Sequence, residues 1–265
     1  MSTLTRGMAS RQPIVFVTDY GYDDAYGAAL IGAVLRVDPE ARCVVGTHGV
    51  PAGDVLAGAY QAKSLVLAFG RPVVLCLVVD PGVGTGRRAL AVQLGDVICV
   101  APDNGLISYV WEESRHDERR AVRLDIPTRV SNTFHGRDVF APAAARLAAY
   151  SDLLQLGIAV TDPVILKQAF ATRAGNAVHG CVVRIDRFGN AITTIRTRDL
   201  EGRNVAAATW EGGATHITVT TYDEIADGVA VLIGSAGHVE IAARAHSAAE
   251  TTGLAPGDPV AVTLG

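Results

Sequence analysis

Asp80 and Arg87 lie seven residues apart in DPGVGTGRR, residues 80–88, where glycines let the chain turn back and set a carboxylate against a guanidinium. On this stretch alone, a structural ion pair and a charged fixture beside a pocket are both open readings. The segment is glycine-rich enough to cradle phosphate, but it is not a Walker loop, because GKS and GKT are absent. His135, in TFHGRDVFAPAAA, residues 133–145, stands directly before a glycine and an expected helix. Histidine is suited to proton transfer near neutral pH, although a lone one is more often packed or on the surface.

A second group of acids opens the chain. Asp19, Asp23 and Asp24 fall in TDYGYDD, a strand-to-helix turn where a carboxylate can accept hydrogen bonds from both hydroxyls of a ribose diol. The competing reading is helix capping. Ligand contact is expected of Asp19 and Asp24, and capping of Asp23. The segment superficially fits the D-x-D-x-x-x-D-D calcium cage of nucleoside hydrolases, but the position of its first acid is Val17, so no metal site is expected. Thr47 and His48 follow the next apolar run, and Asp103 with Asn104 follows ICVAP. In IDRFGNAITTI, residues 185–195, Asp186 and Asn190 bracket a Phe-Gly turn on an expected hairpin.

These residues need a scaffold. From residue 13 the continuous apolar runs IVFVT, CVVGTH and PVVLCLVV alternate with the helix-like DAYGAALIGAVLRV and DVLAGAYQAKSLVLAF. Strands of that kind are covered on both faces, which predicts an α/β N-terminal domain with a central, mostly parallel sheet and flanking helices. Further strands are expected at 88–94 and 97–101, a helix starting near Leu106, and another over about 137–150. Ligands of such sheets bind beyond the carboxyl ends of the strands, where the polar clusters stand. After about residue 172 short Val/Ile/Thr runs such as CVVRID, HITVTTY and HVEIAA predict a smaller all-β, barrel-like C-terminal domain. The expected divisions are a disordered tail over 1–12, a catalytic α/β domain over 13–172 and the β domain over 176–265, with the boundary in ATRAGNAVH.

The 265 residues are 49% hydrophobic and 19% charged, with a formal net charge of −4, a balance suited to a packed core. No basic run suggests a nucleic-acid partner. Neither a signal-peptide core nor an apolar run of membrane-spanning length is present, so a cytoplasmic protein without membrane association is expected. Cys43, Cys76, Cys99 and Cys181 sit singly in apolar runs, which predicts buried free thiols.

Taken in order, TDYG at 18, TH at 47, VVDPGVGTGRR at 78, APDNG at 101, TFHGRD at 133, DRFGNAIT at 186 and GSAGHVEIA at 234 resemble the SAM hydroxide adenosyltransferases, relatives of adenosyl chlorinases and fluorinases. The resemblance runs from about residue 13 to the C-terminus. It implies an α/β domain, a β-barrel domain, and a homotrimer or dimer of trimers with sites between neighbouring subunits. It also implies attack of water or hydroxide on the ribose C5′ of S-adenosylmethionine (SAM), releasing adenosine and methionine. SAM is then the substrate, with neither cofactor nor metal.

Carried over by position, Asp19 resembles the acid gripping the ribose diol, and Asp24 and Asp186 those near the methionine ammonium. Thr133 and Phe134 match the ribose end, Asn190 and Ser235 the adenine contacts, and Glu240 a further substrate-binding position. Asp80, Arg87 and His135 match the triad of the water-using branch. Val45 stands where the family often has Asp, and Gly53 where the fluorinase has Trp, which bears on pocket shape. A halogenase would carry Tyr at the position of Asp80, whose charge repels an anion. A SAM or adenosine sensor, the other rival, needs no nucleophile-handling triad.

Overall fold

The structure, a computed structural model, describes residues 11–70, 72–150 and 152–265. Of the tail expected over residues 1–12, only Arg11 and Gln12 lie within the described part, and both are tied down. Arg11 pairs with Asp38 at 2.9 Å and the Gln12 amide donates to the Ala148 carbonyl. Tertiary contacts divide the chain between Ile165 and Leu166. That is upstream of the change in texture near 172, because Thr172–Ala174 pairs with the second unit's strand Ala177–Ile185.

In the first unit, β1 (Ile14–Thr18), β2 (Cys43–Thr47), β3 (Val73–Val78), β4 (Ala89–Leu94), β5 (Val97–Pro102), β6 (Arg119–Leu124) and β7 (Gly157–Val160) form one sheet among the described residues, in the order β2-β1-β3-β5-β4-β6-β7. β1 runs parallel to β2 and β3, and β3 parallel to β5. The pairs β4–β5, β4–β6 and β6–β7 are antiparallel, so the sheet is mixed rather than mostly parallel. The reason is local: Gly95 and Asp96 alone join β4 to β5, with Gly95 at φ +60°, and so short a link leaves no room for a crossover.

Alternation along β1 explains its unbroken apolar run. Ile14 and Phe16 pack with Leu30 and Val34 of α1 (Tyr26–Val37) and Leu147 of α4 (Ala141–Tyr150). Val15 and Val17 face the other way, into the core shared by Ala57 and Ala62 of α2 (Val55–Phe69) and Val110 of α3 (Ser108–Glu113). Asp54 caps α2, accepting the Ala57 amide at 2.9 Å. Asp23 does not cap α1: Ala25 occupies the cap position, without a side-chain bond, because the helix begins later than the acid.

The second unit contains β8 (Thr172–Ala174), β9 (Ala177–Ile185), β10 (Ala191–Arg196), β11 (Val205–Trp210), β12 (Gly213–Thr215), β13 (Val229–Ile233), β14 (His238–Ala243) and β15 (Pro259–Leu264), with α5 (Ala248–Thr252). The order is β12-β11-β15-β9-β10-β14-β13, with β8 beside β9. The Val219 amide donates to the Val231 carbonyl, the Val231 amide to Ile217, and the Thr215 hydroxyl to Val229. These bonds draw the sheet's two ends together and make it nearly barrel-shaped. HITVTTY, expected as a strand, contributes a single bridge, Thr218 to Val231. Its Thr218 hydroxyl bonds instead to the Val205 carbonyl.

All four cysteines are free, but only Cys76 and Cys99 are buried; Cys43 and Cys181 are half-buried. Among the described residues no helix is long and apolar enough to cross a membrane.

Candidate active site

Parallel pairing of β1 with β3 puts Thr18 beside Val78, so Asp19 and Asp80 leave the sheet at the same edge. The turn after β3 folds as its glycines allow. The Val83 amide donates to the Asp80 carbonyl, and the Thr85 amide and hydroxyl donate to Gly82. Gly84 has φ +77°, and a Cβ there would lie 2.5 Å from the Asn132 carbonyl oxygen, so only glycine lets this loop meet the segment before His135. Arg87 then reaches back to Asp80, with Nε 2.8 Å from Oδ1 and Nη2 against Oδ2. Both side chains are nearly buried, and the Phe140 ring lies under the guanidinium at 5.2 Å.

Nη2 of Arg87 also stands 2.9 Å from Nδ1 of His135. Guanidinium nitrogens only donate, so Nδ1 is the acceptor and the ring proton resides on Nε2. Burial, reinforced by the Arg87 charge, holds the His135 pKa below its ordinary value, against an opposing pull from Asp80 and Asp138. A neutral imidazole with its acceptor nitrogen occupied is a donor through Nε2, and a poorly placed proton acceptor. His135 caps a five-residue π-helical turn, Gly136–Phe140, that leads into α4. Asp138 secures this turn by accepting the Ser131 amide at 2.8 Å and pairing with Arg137. Gly136 is needed for its size: a Cβ would lie 2.3 Å from the Tyr20 hydroxyl.

Asp19 Oδ2 accepts the Gly53 amide at 2.9 Å, and no other partner of the carboxylate is seen among the described residues. Tyr20, Tyr26 and Phe134 form an aromatic cluster with ring centroids 5.4–5.7 Å apart, and Arg137 lies over the Phe134 face. Burial, then the nearby Cys76, Asp19 and Asp80, pushes the Tyr20 phenol up, so it keeps its proton. Thr133 is exposed, with its hydroxyl 3.1 Å from that of Ser131, and Asp24 is exposed. Asp103 and Asn104 are structural. Asp103 pairs with Arg88 at 2.5 Å and accepts the Val164 amide, while Asn104 donates to the Val79 carbonyl. The Gly53 amide, Tyr26 and Asp138 escaped the sequence reading. Only the YGYDDAY run of tyrosines beside acids carried a signal for any of them.

The second unit holds its own polar cluster. Asp186 Oδ1 accepts the Phe188 and Asn190 amides at 2.8 and 2.9 Å, and Oδ2 accepts the Asn190 side-chain amide at 3.0 Å. Gly189, at φ +87°, lets this hairpin turn lie on Ser247, where a Cβ would come within 2.3 Å of the hydroxyl. Glu240 on β14 is buried, accepts the Tyr222 hydroxyl at 2.8 Å, and packs a carboxylate oxygen onto Gly234. Burial pushes its pKa up, with a further contribution from Asp186. Ser235 is exposed on the turn between β13 and β14. Among the described residues no group of three His, Cys, Asp or Glu side chains is placed to hold a metal.

An α/β unit with a charged triad beyond its strand ends, followed by an antiparallel β unit, defines a small-molecule enzyme class. Profiles of the SAM hydroxide adenosyltransferase N-terminal and C-terminal domains match residues 14–157 and 180–261. The chain belongs to the SAM hydroxide adenosyltransferase family. An (R)-S-adenosyl-L-methionine hydrolase from Salinispora tropica is 37% identical, over 97% of this chain and 100% of that protein. One from Thermus thermophilus is 36% identical over 94% and 98%. A fluorinase from Actinopolyspora mzabensis is 27% identical over 96% and 98%. Among solved structures, an uncharacterized conserved protein from Thermotoga maritima superposes with TM-score 0.84 at 28% identity, covering 94% of this chain and 99% of that one.

Proposed function

We propose that this chain hydrolyses SAM to adenosine and L-methionine by attack of water or hydroxide on the ribose C5′. The observation that carries this is the continuous Asp80–Arg87–His135 chain of hydrogen bonds at the sheet edge, in a family whose relatives at 36–37% identity are named SAM hydrolases, while the fluorinase stands at 27%. The sulfonium is already a good leaving group and departs as a neutral thioether, so no metal or acid is required to expel it. The barrier lies in aligning and desolvating a weak oxygen nucleophile. Holding reactants in attack geometry supplies up to about 7–11 kcal/mol, and a positioned acid or base about 10²- to 10⁴-fold, so positioning dominates.

The residues divide that work. Arg87 commits Nε and Nη2 to Asp80 and His135, while Nη1 makes only a long 3.4 Å contact with the Arg88 carbonyl. An Nη1 proton therefore serves to hold the attacking oxygen and favour its hydroxide character. His135 Nε2–H is a second donor. Asp80 balances the guanidinium and is the triad member with acceptor capacity left for the released proton. Asp19 grips the ribose diol through its unengaged oxygen, and Thr133 and Phe134 line the ribose end. Asp24 and Asp186 serve the methionine ammonium, Asn190 and Ser235 the adenine, and Glu240 a further substrate contact. These roles, a cytoplasmic homotrimer or dimer of trimers whose neighbouring subunits share each site, and action without cofactor, nucleic acid or membrane rest on the family resemblance.

The reaction is tested by incubating the protein with SAM in ¹⁸O-water with and without chloride. Adenosine carrying the label at its 5′ hydroxyl is expected, with little chlorinated nucleoside. Unlabelled adenosine, dominant 5′-chloro-5′-deoxyadenosine, or recovery of unchanged SAM overturns the proposal, the last in favour of a sensor.

A further inference from the structure

His48 is buried and takes no part in the chemistry above, yet it meets the Asp19 turn at three points. Its Nδ1 lies 2.8 Å from the Thr18 hydroxyl, its carbonyl accepts the Gly21 amide at 2.8 Å, and its amide donates to the Tyr22 hydroxyl at 3.0 Å. The Thr18 hydroxyl also accepts the Tyr20 amide, leaving its proton for His48 Nδ1. The contacts therefore bracket Asp19 on both sides, at residues 18, 21 and 22. The remaining ring nitrogen is packed against the backbone of α1, where a Cβ on Gly27 would fall 2.6 Å from Nε2. His48 begins the loop that runs to Gly53, whose amide binds the Asp19 carboxylate. The ring contributes the Thr18 contact and the packing on Gly27, while the backbone of residue 48 makes the other two, so this residue joins the turn carrying Asp19 to the loop carrying the donor that aims it, with the ring anchoring it at Thr18.

We infer that His48 is a positioning residue for nucleoside binding, acting through Thr18 and the 48–53 loop to hold Asp19 where it meets the ribose. The inference rests on the proposed role of Asp19. Because the ribose is gripped equally before and during attack, loss of this support weakens binding without slowing chemistry.

The test pairs titration of adenosine with SAM-hydrolysis kinetics for the wild type, His48→Ala, His48→Asn and Thr18→Val. Asparagine places an amide near the position of Nδ1, and valine deletes only the hydroxyl. His48→Ala and Thr18→Val are expected to raise the adenosine Kd and the SAM KM about 5- to 10-fold with kcat within about 3-fold, while His48→Asn recovers most of the affinity. A role confined to stability lowers the folded fraction and apparent kcat and leaves KM unchanged, which overturns the inference. So does wild-type adenosine affinity in Thr18→Val, the isosteric variant that decides if His48→Ala fails to fold. Failure of the wild type itself to bind adenosine is the separate result that refutes the SAM reading.

Discussion

Nη2 of Arg87 stands 2.9 Å from Nδ1 of His135 while the same guanidinium grips Asp80. The contact joins side chains 48 residues apart and sets the histidine's tautomer, because arginine offers protons and never accepts one. Protonating Nδ1 breaks the contact and leaves two cations facing each other. The Arg87–His135 contact therefore exists in one protonation state, with His135 neutral, and the proposed mechanism depends on that state.

Acid should switch the enzyme off by that route. The folded His135 pKa lies below its ordinary value near 6.5, mainly through burial, so the unfolded chain binds the proton more readily. The resulting stability is fully present above about pH 6.5 and is lost as pH falls through the folded value. The acid limb of a kcat/KM profile should accordingly have its midpoint below 6.5. A midpoint above 7 would contradict the assigned tautomer.

Arg87→Ala and His135→Ala should each lower kcat by at least about 10²-fold, with a smaller change in KM, if, as proposed, both act on the nucleophile and leave the adenosyl grip intact. Single-turnover kinetics separate this from slow product release. Equal losses in affinity and turnover would move these residues from the nucleophile to ground-state binding.

Asp19→Ala should weaken SAM and adenosine alike, because the hydrogen bonds proposed for Asp19 go to the ribose that both share. A charged acceptor contributes about 1.5–3 kcal/mol, or roughly 10- to 150-fold in Kd. Calorimetry in which adenosine binding survives and only SAM binding suffers would reassign Asp19 to the methionine end.

Gly136→Ala tests the packing under the π-helical turn. The added methyl would meet the Tyr20 hydroxyl at 2.3 Å and Leu30 and Val78 at 3.2 Å, so overpacking should destabilise the first unit by about 1–3 kcal/mol. Combining it with Tyr20→Phe should recover part of the loss, because the hydroxyl is the nearest obstacle. Denaturant midpoints measure both effects, and an unchanged midpoint for the single variant would show that the turn relaxes freely.

Much of this was legible in the residues because it is local. The run IVFVT reads as a strand buried on both faces, and Ile14 with Phe16 and Val15 with Val17 do divide between two cores. The pairing of Asp80 with Arg87 needed only a glycine-rich turn between them, and Asp186 with Asn190 only a tight hairpin. What escaped reading is what depends on distant segments meeting. The antiparallel half of the sheet follows from which strands become neighbours, and HITVTTY meets a partner only around Val231, so it forms one bridge in place of a strand. Asp103 stands out in the sequence only for its place at a strand end, and it is the fold that sets Arg88 and the Val164 amide against it. Side-chain types and local turns thus determined which groups were available for chemistry. Only the tertiary structure decided their partners, and with them the proton on His135 Nε2 and the Gly53 amide, 34 residues away, that aims Asp19. Hydrogen-bond direction and burial belong to the assembled neighbourhood of a residue, and no single segment contains them.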